Sequence, residues 1–178
     1  MLKKILPFTG LIAAVLAIVT LILMMACPVG VYTASSGDKS YVSGIAAIFG
    51  ETKELGFGIS STIKLGWAGL LGWILIVVAI LALIVAAVLQ FVLKKKPQLG
   101  SILAIVAGVC AIVAGIFCFC GLAAVNSANV TEVSGTKIYM FNDYNLGAGW
   151  VIAGILGLCA GGVALINCIL GIVASLKK

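Results

Sequence analysis

The sequence predicts an all-α transmembrane fold, a four-helix antiparallel bundle with a small extracellular β-sheet formed from the two outer loops. Three observations predict it. Of 178 residues, 63% are hydrophobic and only 9% charged, with a mean hydropathy of +1.33. A water-soluble domain of this length needs more polar surface than that. Four apolar stretches, at about 8–27, 65–93, 99–125 and 147–176, contain no Asp, Glu, Lys, Arg or His. Each reaches the roughly 20 residues that a hydrocarbon core of about 30 Å requires of a helix. Finally, the lysines fall unequally on the segments that join these stretches. The whole chain, 1–178, reads as one domain.

The first stretch is bracketed by Pro7, expected in the first helical turn where its missing N–H is harmless, and by Pro28, which ends the helix. Leu23-Met24-Met25-Ala26-Cys27 resembles a lipobox, but the apolar run exceeds the roughly 7 to 15 residues of a cleaved signal segment, so four helices are expected. The first outer loop, 28–64, carries Val29-Gly30-Val31-Tyr32-Thr33, the turn signal Ser35-Ser36-Gly37-Asp38 and then Tyr41-Val42-Ser43-Gly44-Ile45, which together predict a hairpin. Further on, Glu51-Thr52-Lys53-Glu54 reads as a solvated turn. The second and third helices are joined by a tight turn from Lys94 to Gln98 and must be antiparallel neighbours. In the second outer loop, 126–145, residues 129–133 and 136–141 flank Ser134-Gly135 and predict another hairpin. Asn129-Val130-Thr131 within it matches the glycosylation sequon.

Orientation follows from charge. All eleven basic residues are lysines, and seven of them (Lys3, Lys4, Lys94, Lys95, Lys96, Lys177, Lys178) lie in very short segments on one side. The other side has Lys39, Lys53, Lys64 and Lys137 with all five carboxylates, Asp38, Glu51, Glu54, Glu132 and Asp143. The lysine excess places the short segments and both termini in the cytoplasm. The four tyrosines fall on the outer side, and Trp67, Trp73 and Trp150 are expected in an aromatic belt at the outer interface. The net charge of +6 is accordingly an orientation signal. Nucleic-acid binding would call for a basic face interleaved with aromatics, whereas these lysines sit in ones, twos and threes at helix ends, and no nucleic acid is expected as a partner.

Few groups are equipped for chemistry. Without histidine the commonest general base and metal ligand is missing, and no ionisable group lies inside a span, as a proton-coupled carrier would require. No catalytic residue, cofactor or metal is expected. The six cysteines, Cys27, Cys110, Cys118, Cys120, Cys159 and Cys168, are all in or at the ends of helices. Cys118 and Cys120 stand about 200° apart on a helix and cannot readily bond each other. Cys27 shares the depth of Cys118, and the two are a candidate disulfide pair if their helices are neighbours.

The strongest pattern is steric. Gly100, Ala104, Ala107, Ala111, Ala114, Cys118 and Gly121 recur at alternating steps of four and three on the third helix. On the fourth, Gly147, Gly154, Gly157, Gly161, Ala164, Cys168 and Gly171 repeat that pattern, interrupted by Trp150. Small faces let backbones approach closely, which is a main source of helix association in lipid. Intramolecular packing is the first expectation for both, and a homo-oligomer contact the second. Among the polar residues of the spans, Thr9, Gln90, Ser101 and Asn167 all fall near the cytoplasmic interface and predict one hydrogen-bonded cluster.

Four helices with inner termini, a longer first outer loop and a shorter second one resemble the claudin-type layout, without the tryptophan and paired-cysteine signature of the claudin first loop. Barrier or pore function is therefore not implied. Ser43-Gly44-Ile45-Ala46-Ala47-Ile48-Phe49-Gly50 and Leu146-Gly147-Ala148-Gly149-Trp150-Val151-Ile152-Ala153-Gly154 are similar to segments of small uncharacterised four-helix membrane proteins of Gram-positive bacteria. That resemblance implies a bacterial plasma membrane. The function expected is non-enzymatic: a scaffold or accessory subunit that contacts a membrane-protein partner through its outer loops. A passive channel or carrier for a neutral or apolar solute is the alternative, and a thiol oxidoreductase stands third.

Overall fold

The computed structural model describes residues 2–56, 59–92 and 97–176. Four long helices dominate it: α1 (Leu2–Ala26), α3 (Trp67–Val92), α4 (Pro97–Ala128) and α5 (Ala148–Leu176). All four are long and apolar enough to cross a membrane, over Leu6–Ala26, Trp67–Gln90, Leu99–Ala128 and Ala148–Val173. α1, α4 and α5 turn most of their bulk outward, while α3 also buries Ile76, Ile80 and Leu83. On α1, Phe8, Leu11, Ile12, Val15 and Ile22 are exposed, whereas Ala13, Ala14, Ala17, Thr20 and Met24 are buried. Water would force the opposite sorting, but lipid tails solvate large apolar side chains and leave the interior to small ones that bring backbones together.

Going round the bundle the order is α1, α3, α4, α5, because α1 packs on α3 and α5 while α4 packs on α3 and α5. Chain direction alternates around this ring, and α1 and α4, which run the same way, face each other across the diagonal. The helix begins earlier at α1 than the prolines suggested. Pro7 lies inside it, buried, and withholds one backbone donor from the preceding turn.

One end of the bundle is capped by the two long connections. In the first, β1 (Gly30–Thr33) pairs antiparallel with β2 (Lys39–Val42), in the hairpin expected there, and is followed by the short α2 (Gly44–Phe49). Ser43 caps α2, its Oγ accepting from the Ala46 N–H at 3.1 Å. A second hairpin, β3 (Glu51–Gly56) with β4 (Ile59–Ile63), occupies the stretch expected as a turn. Glu51-Thr52-Lys53-Glu54 is an extended strand, so the three-residue spacing that would align two carboxylates on a helix does not apply. In the second connection, β5 (Val130–Val133) and β6 (Thr136–Tyr139) form the predicted hairpin around Ser134, which takes a positive φ.

The single sheet expected from both loops is instead three. β5–β6 and β3–β4 are separate two-stranded sheets, and only the third, ordered β2-β1-β7, joins the two connections. β7 is just Asn145–Leu146, paired with Val31 and Gly30. The turn at Lys94–Lys96 and the terminal Lys177 and Lys178 lie outside the described residues.

Candidate functional sites at the two ends of the bundle

The predicted packing residues all lie inside the bundle, though not on a single seam. Ala104, Ala107, Ala111 and Ala114 are wholly buried, as are Cys118 on the same stripe and Ala160 and Ala164 on α5. The closest approach of α4 to α5 runs one position off the alanine stripe, through Gly108 and Gly115. A Cβ on Gly157 would stand 3.0 Å from the Gly115 Cα, and one on Gly161 would stand 2.7 Å from the Gly108 carbonyl oxygen. Reciprocally, a Cβ on Gly115 would come within 2.8 Å of the Gly154 carbonyl oxygen. Gly154 lies under the Phe119 ring as well. Gly100 serves a different contact, making room for the Gln90 side chain of α3. Gly108 and Gly115 escape a heptad reading because glycines one residue from a complete alanine stripe look redundant.

At the uncapped end the structure brings the polar residues together. Asn167 is 1% exposed, and its Nδ2 donates to the Leu6 carbonyl at 3.1 Å while its Oδ1 accepts from Gln90 Nε2 at 3.2 Å. Thr9 Oγ1 donates to the same Leu6 carbonyl at 2.8 Å. Gly10 leaves α1 bare where the Asn167 amide approaches, and the buried Ser101 sits over Gly171. One amide thus ties α5 to its neighbour α1 and, across the diagonal, to α3. Gln90 Oε1 is buried and accepts from no donor among the described residues.

At the capped end two side chains missed in the sequence hold the connections to the helices. Asn129, 4% exposed, accepts from the Lys64 N–H at 2.7 Å, and its Nδ2 donates to the Lys64 carbonyl at 3.0 Å and the Val125 carbonyl at 2.8 Å. In the folded protein the nitrogen that a glycan would occupy is therefore buried and hydrogen-bonded. Trp150 is not a belt residue. It is fully buried, donates from Nε1 to the Cys27 carbonyl at 3.2 Å, and fills space left open by Gly121 and Gly69. Trp67, 52% exposed, is the tryptophan that does face outward. Phe141, Tyr144 and Tyr32 form a ladder of rings, with centroids 5.2 and 5.6 Å apart.

The candidate disulfide is absent, and the bundle order explains why. Cys27 and Cys118 are both free, on diagonal helices. Cys27 lies against Gly149 at the start of α5, while Cys118 is buried in the core. Cys120, two residues on, is exposed, as the 200° rotation requires. No group of three metal-ligating side chains occurs among the described residues. Neither a scan against protein-family models nor a search of curated proteins finds a match for the chain. What the helices themselves carry is the class: this is a multi-pass membrane protein with four spanning helices.

Proposed function

We propose that this protein is a non-enzymatic scaffold or accessory subunit of a bacterial plasma membrane, which engages a membrane-protein partner through its capped end. The reading rests on one observation: beyond the ends of the apolar spans the cap exposes Tyr41 on β2 and Ile138, Tyr139 and Met140 on and just after β6. Lipid tails solvate the exposed residues of the spans, whereas large apolar side chains left exposed on the strands beyond them favour a protein contact. The lysine asymmetry supports a capped end facing out and termini facing in.

A second reading, passive passage of a small neutral solute, draws on the buried acceptor Gln90 Oε1 beside Asn167. One experiment separates the two. A photo-crosslinking residue at Ile138 or Tyr41, activated in native membranes, should capture a discrete protein, and liposomes holding the purified chain should stay tight to glycerol. Capture of lipid alone together with a glycerol leak would replace the scaffold reading with the channel.

A further inference from the structure

A groove of about 410 Å³ opens where β3–β4 meets the start of α3, lined by Phe49, Glu51, Thr52, Thr62, Lys64 and Leu65 among others. Its walls are pinned from two sides. Gly50, at φ +78°, brings the α2–β3 corner to where a Cβ would meet the Ile63 carbonyl oxygen at 3.1 Å. On the other wall, Asn129 grips both backbone polar groups of Lys64. That clamp fixes the root of the Lys64 side chain, which is exposed and forms no ion pair among the described residues. Depth is set by α3, whose apolar span begins three residues later at Trp67. The groove therefore stands where hydrocarbon gives way to headgroups. Its apolar part, Phe49 and Leu65, is exposed, and Phe49 continues onto Trp73 of α3 in an edge-on contact at 5.3 Å.

We propose that this groove is a binding site for a membrane glycerophospholipid, with the phosphodiester against the Lys64 ammonium and the upper acyl chain over Phe49 and Leu65. The threonines add a donor. Thr52 and Thr62 hydroxyls lie 3.2 Å apart and share one hydrogen bond, so one hydroxyl hydrogen of the pair is left for a phosphate oxygen. An apolar wall has no use in binding inorganic phosphate, and a lysine ammonium at this depth is suited to a lipid phosphate.

Native mass spectrometry of the full-length protein in detergent, titrated with dioleoylphosphatidylglycerol, tests the proposal. The parent should hold one lipid that outlasts the rest. Lys64→Glu and Thr52→Trp, which reverse the charge and fill the groove respectively, should each lower its retention by about five-fold or more. Lys39→Glu, on β2 and outside the groove, should retain it like the parent. Melting temperatures taken on the same samples identify any variant that has unfolded, and the folded one of the pair then decides. Retention by folded Lys64→Glu or Thr52→Trp equal to the parent overturns the site. Displacement of the lipid by millimolar inorganic phosphate would overturn it too, by making the groove a site for the free anion.

Discussion

Asn129 and Trp150 show how single side chains carry long-range structure here. Asn129 makes three hydrogen bonds from a buried position, two of them to a residue 65 positions away. Asn129→Ala removes all three of these hydrogen bonds, at a cost of about 0.5 to 1.5 kcal/mol for each. Its melting temperature in detergent should fall clearly below the parent's. Ser127→Ala, which removes only an exposed hydroxyl bonded to the Ala124 carbonyl, should melt with the parent. Equal melting of the two variants would mean that Asn129 does not join the connections to the bundle. Neither Asn129 nor Trp150 is legible from the sequence in this role. An asparagine beside a strand signal reads as a turn or a sequon, and a tryptophan at a helix end reads as an interfacial anchor, because burial depends on glycines such as Gly121 that are distant in sequence.

At the scale of elements, adjacent glycines of α5 make opposite predictions. Gly161 meets the Gly108 backbone and Ile112, so Gly161→Leu has no room and should destabilise by about 1 to 3 kcal/mol or more. A Cβ added to Gly162 would meet nothing within 4 Å, and Gly162→Ala should be neutral or stabilise by up to about 1 kcal/mol through helix propensity. Ile155→Leu, on an exposed face, is the volume-conserving control. Thermal unfolding in one detergent ranks all three, and a Gly161→Leu protein as stable as the parent would dissolve the α4–α5 seam as a packing contact. The four helices were legible because hydropathy is local. The strands were partly so: β1–β2 and β5–β6 are closed by turn residues visible in the chain, whereas β3 opens on four polar residues and β7 is two residues whose partners, Gly30 and Val31, lie in the first connection.

For the whole molecule, sidedness is the property on which the proposed function depends. Single cysteines introduced at Ser36 or Ser134 in a cysteine-free background should react with a membrane-impermeant maleimide on intact cells, and one beside Lys95 only after permeabilisation. Labelling of the Lys95 site in intact cells would invert the protein and move the cap to the cytoplasm. Both ends of the bundle bind its helices by polar contacts, and the middle is packed by alanines and glycines of α4 and α5 against Ile76, Ile80 and Leu83 of α3. The amide of Asn167 ties α5 to α1 and α3 at one end, and β7 ties the start of α5 to β1 at the other.

That last pairing also imposes an order on synthesis. Gly30 and Val31 emerge early from the ribosome, but their partners, Leu146 and Asn145, lie just ahead of the final helix. Until that point β1 has β2 on one side and an open edge on the other, a condition that invites pairing with a foreign strand. The exposed edge closes only when the last connection has been made, so the cap is finished late and from its C-terminal side. A chain ending before residue 145 would hold three of the four long helices and leave this edge of β1 unpaired.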